Sequence, residues 1–578
     1  MDFFNRLLFY KLAQIAMMKP FFIFLLSTSW LFAQNYPKEQ FSSPLKIEII
    51  PSGTFGELRN NHFHAGLDIR TQQRIGLPVY APADGTVSRI KVSTFGYGKA
   101  LYINHAGGYT TVYGHLNAYN ETIGDYVRRQ QYKVEKFEVE MFSKAGELKV
   151  KKGEIIGFTG NTGGSGGPHL HFEFRDTKTE KIINPLQFGT AVKVKDTEAP
   201  TLNSLLVYPL TETALVNQSQ KPIAVALSKQ KDGSYLAAKV RAMGTIGFAV
   251  NTHDSSDNNH AKNGIYSIKT FLNGSVFYSF QFDTFAFDES RYVNALIDYE
   301  RYNKTKQRFQ KLFYRKPYGL SLINSYKNNG QLVIAPGTSF NYRIEISDFS
   351  GNKTVVHVPI DYVEESIVVK ADKETSNLLI QTERDYIFEK ENVTIEFPAN
   401  VFYEDFYLRW DVVNNVLNLH DESVPLHKNI NIKFDLSQIK DIDLEKAFIG
   451  RVSNGKNEYF STRKNNKVFS IKTRDFGQYK IMEDKVAPRI YQPSFEAGAQ
   501  LGSKSSIRFF VEDDLSGLDK INAYINDRWV LLDYDYKTNI VEHFLSDGVA
   551  VVGRNDIKII TTDRMGNTAT FESHFFIK

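Results

Sequence analysis

The sequence predicts a mainly β protein built from several domains. From Lys46 onward, most segments are short runs rich in Val, Ile, Tyr, Phe and Thr, separated by clusters of Gly, Asn, Asp and Pro. Long helical periodicity is scarce. The chain has 578 residues, and a prior of roughly 150 residues per domain predicts about four domains. We therefore expect a series of β-rich domains rather than one large core.

Composition and charge are ordinary for folded soluble domains. Apolar residues make up 42% of the chain, charged residues 23%, and 70 basic residues balance 65 acidic ones. Like charges are not gathered into blocks, so the sequence does not indicate nucleic-acid binding. Cysteine is absent, which excludes disulfides, a thiol nucleophile and a lipid-modified cysteine.

The N-terminal segment has the pattern of a signal peptide. Lys19 follows Met18, residues 21–26 form a short apolar run, and Ala33 is a small residue suited to cleavage. The apolar run is shorter than the roughly 20 residues that span a membrane. We therefore expect residues 1–33 to be a signal peptide, with Met18 as an alternative start. This predicts export to the periplasm, cell envelope or cell surface, with no stable membrane span after cleavage.

One stretch has the spacing of a helix. Between Glu121 and about Phe142, apolar residues recur at roughly one helical turn among charged residues. This spacing predicts one helix in a protein that otherwise consists mainly of strands.

Two short segments have similar sequences, and each indicates a domain boundary. Residues 196–200 read Asp-Thr-Glu-Ala-Pro, and residues 484–488 read Asp-Lys-Val-Ala-Pro. Each opens a segment that later contains an Asp followed by a Gly-Asn turn, at 348–352 and 563–567. An extended run follows each turn, as the closing strand of a sandwich would.

These similarities predict two copies of one module, and they divide the rest of the chain. We expect immunoglobulin-like β-sandwich modules at residues 193–363 and 484–578, by resemblance of architecture. Residues 364–483 are expected to form another β-rich domain, with alternating strands near Val393 and Ile430. The sequence does not reveal the role of these parts.

Six of the 13 histidines lie between positions 62 and 171. Side chains alternate faces along a strand, so His169 and His171 are expected to point to the same side. A hydrolytic zinc site usually takes three ligands from histidine and carboxylate side chains, and leaves a fourth position for water. His64, Asp68 and His171 offer two imidazoles and one carboxylate. His169 and the more distant His115 then remain free to act on protons or on developing charge.

Four motifs in this region match a known family in their order. They resemble the lysostaphin/LytM-type zinc endopeptidases, and they read His64-x-x-x-Asp68, Tyr113-Gly114-His115-Leu116, Gly160-Asn161-Thr162-Gly163 and His169-x-His171. The connecting residues 79–87 and 150–157 also resemble strand and turn sequences of the family, and Asn184-Pro185 closes the domain in the usual way. The resemblance covers about residues 45–190.

The resemblance implies a LytM-type antiparallel β-sheet peptidase domain over residues 42–192. Residues 118–147 are longer than the short turn expected of the family, and we interpret them as an insertion beside the cleft. The insertion could narrow the cleft, supply substrate contacts or bind an envelope protein partner.

The resemblance also implies roles for the five candidate residues. One zinc ion would bind to His64, Asp68 and His171. His115 and His169 would serve as general base and transition-state stabiliser, and the sequence does not decide which is which. The implied reaction is hydrolysis of peptide bonds in the stem peptides or cross-links of peptidoglycan.

Other histidines and one carboxylate near these motifs have no assigned role. His62 is expected beside the site or at the surface, and His105 is expected to be an ordinary strand residue. Glu173 lies two positions beyond His171, where it would either orient the imidazole or serve packing.

Two further functions remain open from the sequence. The first is a non-catalytic LytM-like regulator, a kind that typically lacks metal ligands, whereas this chain retains all three. The second is a cell-surface scaffold or adhesion protein in which residues 193–578 are the principal part.

Overall fold

A computed structural model describes residues 36–578, except 145, 258, 317, 373–375 and 454. The predicted signal peptide lies outside the described residues. Strands dominate the remaining chain, so the prediction of a mainly β protein is confirmed. Among the described residues, no helix is both long enough and apolar enough to cross a membrane.

The first β-rich region follows residue 36 and contains the predicted site. Its strands, numbered β1 to β14, are Pro51–Gly53, Leu58–Arg59, His62–Phe63, Leu67–Arg70, Pro78–Tyr80, Gly85–Val92, Lys99–His105, Tyr109–Leu116, Ala118–Tyr119, Val139–Met141, Lys149–Val150, Ile155–Phe158, His169–Asp176 and Ile182–Ile183. The main sheet has the strand order β1-β4-β13-β8-β7-β6-β10, and a smaller sheet has the order β5-β12-β9. Neighbouring strands along the main sheet are antiparallel.

Strand β13 has one apolar face and one polar face. Leu170, Phe172 and Phe174 are fully buried in the core of this region. The residues between them, including His171 and Glu173, point to the opposite face of the sheet, as the alternation of a strand requires. The polar side chains therefore share one face of the main sheet.

The predicted helix, α1, spans Glu121–Val134. Asn120 caps its start, because its side-chain oxygen accepts a hydrogen bond from the backbone N–H of Ile123. The helix ends where Glu135 adopts a left-handed backbone conformation with φ of 52°. The chain then extends as β10 and pairs with β6, so the predicted helix end near Phe142 is wrong.

The second region extends from about residue 193 to residue 363. Its strands, β15 to β28, are Thr201–Pro209, Leu215–Val216, Ile223–Val225, Leu227–Lys229, Tyr235–Ala237, Val240–His253, Ser267–Leu272, Ser275–Gln281, Thr284–Phe285, Gln310–Lys311, Ile323–Tyr326, Leu332–Ile334, Ser339–Ser347 and Lys353–Tyr362. Two short helices, α2 at Val293–Leu296 and α3 at Tyr299–Thr305, lie between β23 and β24. The central strand order is β17-β15-β20-β28-β27-β21-β22-β25.

The third region is built from two five-stranded sheets and one two-stranded sheet. Its strands, β29 to β40, are Leu379–Ile380, Tyr386–Lys390, Val393–Phe397, Phe406–Tyr407, Trp410–Val413, Val416–Leu419, Ile430–Asp435, Ala447–Ser453, Lys456–Tyr459, Arg463–Asn465, Val468–Thr473 and Gly477–Glu483. The five-stranded sheets have the orders β30-β31-β35-β39-β38 and β33-β34-β40-β36-β37, and the two-stranded sheet consists of β29 and β32. A single apolar core contains buried side chains from both five-stranded sheets.

The last region, called the last module below, begins near residue 484. Its strands, β41 to β49, are Arg489–Tyr491, Ala499–Leu501, Ser506–Glu512, Leu518–Ile525, Arg528–Val530, Asp533–Asp535, Ile540–Phe544, Gly553–Asp563 and Thr568–Ile577. A four-stranded sheet, β41-β43-β47-β46, and a five-stranded sheet, β42-β49-β48-β44-β45, share one core. The immunoglobulin-like assignment of the second and last regions stays a prediction.

The helix of the insertion packs against the last module. Tyr132 joins the core of that module, with its ring centroid 5.2 Å from that of Trp529. Its hydroxyl donates a hydrogen bond to Asp547. Nearby, Lys99 Nζ lies 2.7 Å from Asp533 Oδ2. The insertion therefore contacts a distant part of its own chain.

Tyr132→Ala is expected to loosen this contact, because it removes an aromatic pair and a hydrogen bond that together contribute about 1–2 kcal/mol. Hydrogen–deuterium exchange should become faster in both α1 and β45. Arg129→Ala, at an exposed position of the same helix, is the matched control. Unchanged exchange in Tyr132→Ala would show that the helix does not depend on the last module.

Candidate metal centre

The sheet topology brings the predicted ligands together. Strands β4 and β13 are antiparallel neighbours, and their register sets Asp68 opposite His171. His64 lies just before β4 and reaches the same point. On the other side of β13, Gly114 faces His171, where an added Cβ would lie only 3.2 Å from the Cβ of the histidine. A glycine at 114 thus leaves room for the His171 ring.

Three donor atoms converge on one point. His64 Nε2 lies 3.0 Å from Asp68 Oδ1 and 3.1 Å from His171 Nδ1, and the last two atoms are 2.8 Å apart. Donors of a tetrahedral zinc ion, each about 2.1 Å from the metal, lie about 3.4 Å apart. The three side chains are almost fully buried. Their donor set and spacing therefore fit one zinc ion after a small outward adjustment.

Each of the two ligand imidazoles is oriented by a hydrogen bond from the ring nitrogen that faces away from the donor cluster. His64 Nδ1 donates to the carbonyl oxygen of Thr54 at 2.8 Å, and His171 Nε2 donates to Glu173 Oε1 at 2.8 Å. In the neutral form of each ring, which is the form that binds a metal, this bond places the proton on the outer nitrogen and leaves the lone pair of the inner nitrogen facing the centre. These partners prepare both imidazoles as metal ligands.

Asp68 is held by its second oxygen. Arg59 Nη2 donates to Asp68 Oδ2 at 2.6 Å, while Asp68 Oδ1 faces the two ligand imidazoles. Burial acts to raise the pKa of Asp68, but electrostatic interaction with the His64 ring and hydrogen bonds with His169, His171 and His64 hold that pKa well below its usual range. The carboxylate is therefore ionised, as a ligand must be.

The two ligand imidazoles differ in their affinity for a proton. Burial lowers the pKa of His64, which keeps that ring neutral. Burial also opposes charge on His171, but its hydrogen bonds with Asp68 and Glu173 raise its pKa to about 9. The carboxylates around His171 thus favour positive charge at the point where the donors meet.

A β-bulge positions His115. Along the β7–β8 pair, Gly114 and His115 together face the single residue Ala100. His115 has a φ of +59°, an uncommon value for a residue other than glycine. Such a bulge redirects a side chain out of the regular alternation. Here His115 Nδ1 donates to the carbonyl oxygen of Thr162 at 2.8 Å.

His169 completes the cluster from β13. Its Nδ1 donates to the carbonyl oxygen of Gly167 at 2.8 Å, and its Nε2 lies 3.4 Å from Asp68 Oδ1. The ring centroids of His169 and His115 are 4.8 Å apart. Because both Nδ1 atoms donate to carbonyl groups, each neutral ring keeps a lone pair on Nε2.

A cleft opens beside these residues. Its volume is about 610 Å³. Asp68, His115 and His169 line it, together with residues 164–168, part of β4 and the loop after β4. Burial lowers the pKa of His115 to about 3, and the neighbouring His171 and His169 add to this effect. His115 is therefore a neutral group at the cleft wall, able to accept a hydrogen bond.

The other histidines in this part of the chain lie outside the donor cluster. His62 is exposed on β3, where its Nδ1 lies 2.8 Å from the carbonyl oxygen of Asn60. His105 is buried and lies within hydrogen-bond distance of the Asp84 carbonyl and Thr111 Oγ1. Neither residue contributes a donor atom to the group formed by His64, Asp68 and His171.

The supporting residues around the ligands were only partly visible in the sequence. The alternation of β13 indicated Glu173, which is fully buried and also binds Arg175 Nε at 2.7 Å and the Tyr97 hydroxyl. No sequence signal indicated Arg59 or Thr54, because their contacts depend on how a two-strand hairpin and a loop fold back over the site.

Comparison with known proteins identifies two parts of the chain. The profile of Peptidase family M23 matches residues 62–132 and 138–185, and that of the Zu5-like domain matches residues 377–484. The interruption in the first match lies inside the predicted insertion.

Curated relatives share the first of these parts. An uncharacterized metalloprotease of Haemophilus influenzae is 38% identical over 123 residues, which is 21% of this chain and 20% of that protein. The DD-carboxypeptidase/endopeptidase Mpg of Neisseria meningitidis is 38% identical over 112 residues, 19% of this chain and 20% of that protein. Lysostaphin of Staphylococcus simulans is 31% identical over 166 residues, 28% of this chain and 25% of that protein. The chain thus matches only a fifth to a quarter of the length of these relatives.

Two solved structures correspond to the same part of the chain. The catalytic domain of the prophage-encoded M23 protein EnpA from Enterococcus faecalis is 25% identical, with 26% of this chain and 98% of that chain covered and a TM-score of 0.20. The catalytic domain of lysostaphin from Staphylococcus simulans is 27% identical, with 27% and 94% covered and a TM-score of 0.17. The sequence matches show that residues 62–185 of this chain contain a domain of Peptidase family M23.

Proposed function

We propose that this chain is an exported zinc endopeptidase that hydrolyses peptide bonds in peptidoglycan. The observation that carries the proposal is the convergence of His64, Asp68 and His171 beside a cleft that two further imidazoles line. The names of the curated relatives, a metalloprotease and a DD-carboxypeptidase/endopeptidase, support peptide hydrolysis. The signal-peptide pattern of residues 1–33 supports export.

Two imidazoles and one carboxylate are a donor set typical of catalytic zinc. His64 Nε2, His171 Nδ1 and Asp68 Oδ1 would hold the ion. When bound, zinc supplies Lewis-acid polarisation of a carbonyl group and makes water more acidic. One ion satisfies all three donors.

The two remaining imidazoles would manage protons. His169 Nε2 lies 3.4 Å from Asp68 Oδ1, beside the point where the three donors meet, so we assign proton uptake from the attacking water to His169. His115 Nε2 would accept a hydrogen bond from that water. Burial keeps His115 neutral, so it would orient the attacking water through this hydrogen bond, and so stabilise the transition state, while His169 takes the proton.

The proposal is tested with purified peptidoglycan and the zinc-loaded full chain. We expect soluble fragments and new free amino groups, and we expect both to disappear when zinc is removed and to return when it is restored. The exposed-histidine variant His62→Ala should behave as the wild type does. A folded, zinc-loaded wild type that releases nothing from peptidoglycan would contradict the proposal.

Glu173→Gln is expected to weaken zinc binding by about 10–100-fold, because the neutral amide holds the His171 ring less firmly in its ligating orientation. Competition with a chelator measures the affinity. Glu180→Gln is the matched control, since Glu180 also contacts Arg175, at 3.3 Å, but is exposed and does not reach His171. An equal loss in both variants would mean that Glu173 acts only through Arg175.

A further inference from the structure

A second group of donors lies outside the peptidase cleft. Carboxylate oxygens of Asp196, Asp254 and Asp348 all lie within 4.8 Å of one another. Asp196 belongs to the segment that leads into the second region, Asp254 directly follows β20, and Asp348 directly follows β27. Three parts of the chain that are distant in sequence thus bring their carboxylates to one point. We call this group the junction cluster.

Two buried side-chain oxygens at the junction cluster lack a hydrogen-bond partner among the described residues. One belongs to Asp254 and the other to the neighbouring Asn263. Asp254 is 7% exposed, Asn263 is 3% exposed, and the Oδ1 atoms of both have no partner among the described residues. Asp254 and Asn263 are paired by two backbone hydrogen bonds of 2.9 and 2.8 Å, and their side chains line the same cavity as Asp196. A buried polar atom without a protein partner costs free energy unless water or an ion meets it, so these two oxygens are available to a cation.

The charges of the cluster are not balanced by nearby basic residues. No lysine or arginine in the described part of the chain forms an ion pair with these three carboxylates, and the neighbouring Lys195 pairs with Asp257 instead. Burial, together with Asp196 and Asp348, raises the pKa of Asp254 to about 8. Burial and nearby carboxylates also raise the pKa of Asp196 to about 6. Holding these carboxylates together therefore costs free energy when no cation neutralises them.

We propose that Asp196, Asp254, Asp348 and Asn263 bind a calcium ion. All four donors are oxygens, which suit a hard cation, whereas a transition metal would favour nitrogen or sulfur ligands. An ion about 2.4 Å from each carboxylate oxygen keeps those oxygens at most about 4.8 Å apart, which matches the cluster. Other oxygens from the chain or from water complete the coordination of such an ion.

The position of the site gives the ion a role at a domain junction. The segment between Asp254 and Gly264 contacts the peptidase domain, where Asn259 Nδ2 donates to the Pro51 carbonyl at 2.7 Å and Gly264 N donates to Thr54 Oγ1 at 2.9 Å. The carbonyl of Thr54 in turn accepts the hydrogen bond from His64. Calcium would therefore hold the segment that supports the loop behind one zinc ligand.

The last module contains a related cluster that serves as a control. Asp484 precedes the first strand of the last module, Asp513 directly follows β43, and Asp563 is the last residue of β48. Their carboxylate oxygens also lie within 4.8 Å of one another. In both clusters the first aspartate accepts a backbone hydrogen bond, Asp196 from Glu198 N and Asp484 from Ser516 N. The clusters differ at the second aspartate. Asp513 Oδ2 accepts hydrogen bonds from Leu515 N at 3.2 Å and Gly517 N at 2.6 Å, whereas Asp254 Oδ1 has no partner among the described residues.

The test is calorimetric titration of calcium chloride into the full chain, stripped of metal and reloaded with one equivalent of zinc. We expect saturable binding, and we expect Asp254→Asn to lose about one equivalent of calcium and the rise in unfolding temperature that calcium produces in the wild type. Asp513→Asn, the equivalent substitution in the last module, should keep that equivalent.

A second variant keeps the test decisive if Asp254→Asn does not fold. Asp196 is only half-buried, and Asp196→Asn is expected to weaken calcium binding at least about tenfold. Absence of saturable binding to the wild type would overturn the proposal and would mean that the carboxylates share protons instead. Full wild-type stoichiometry and affinity in the Asp254 and Asp196 variants would overturn it as well. Zinc content and peptidase activity are measured separately, so failure of the calcium site is distinguishable from failure of the proposed function.

Discussion

Asp68→Ala is expected to abolish both zinc retention and peptidoglycan cleavage. Asp68 supplies the only carboxylate oxygen of the proposed ligand set, and its removal leaves only the imidazoles of His64 and His171 as donors. Two neutral imidazoles hold zinc too weakly to survive purification, so the rate should fall at least about a thousandfold. Zinc per chain, measured by elemental analysis, and fragment release give the two readouts.

The matched control for this variant is Asp125→Ala, which removes a carboxylate from an exposed position of α1. It should keep both zinc and activity. Retained cleavage by Asp68→Ala after its zinc is gone would contradict the zinc mechanism.

His115→Ala is expected to keep its zinc while losing about 10²- to 10⁴-fold in turnover, the usual range for removal of a proton-handling group. The reason is geometric, because His115 lines the cleft and bonds to the Thr162 carbonyl but is absent from the group of three convergent donors. The loss should fall mainly on kcat.

Zinc content and steady-state kinetics on a defined cross-linked peptide test this prediction. His62→Ala again supplies the control, since it removes an exposed imidazole of the same domain. If His115→Ala lost its zinc to the same extent as Asp68→Ala, His115 would be a ligand and its assigned role would be wrong.

Much of the catalytic region could be predicted from the sequence because its information is local. The alternation of His169 and His171 with Leu170 and Phe172 predicts one polar and one apolar face, and the structure has both. The resemblance to lysostaphin/LytM-type peptidases predicted an M23-type domain, and the comparisons confirm it.

Other features depend on tertiary contacts that a single sequence does not display. The bulge that turns His115 toward the cleft requires two residues of β8 to face one residue of β7, and no short motif specifies that mismatch. The end of α1 was placed too late, since apolar residues near Met141 continue the helical spacing but pair with β6 instead. The docking of Tyr132 on the last module links positions that are hundreds of residues apart.

The proposed calcium ligands also include residues from motifs that the sequence shows and one residue that only the fold brings to the site. The sequence shows two pairs of repeated segments. One pair is residues 196–200 and 484–488, and the other is the two turns in which an Asp precedes Gly-Asn. Asp254, the third proposed carboxylate ligand, belongs to neither motif, and only the fold brings it beside Asp196 and Asp348.

The most direct test of the account is the fate of water during the reaction. Peptidoglycan is digested by the zinc-loaded full chain in water labelled with heavy oxygen, and the fragments are analysed by mass spectrometry. Hydrolysis at a peptide bond predicts that each new carboxylate carries one labelled oxygen, that each is matched by one new amino group, and that the glycan chains stay intact. Fragments with cleaved glycan bonds and intact peptides, or unlabelled new ends, would contradict it.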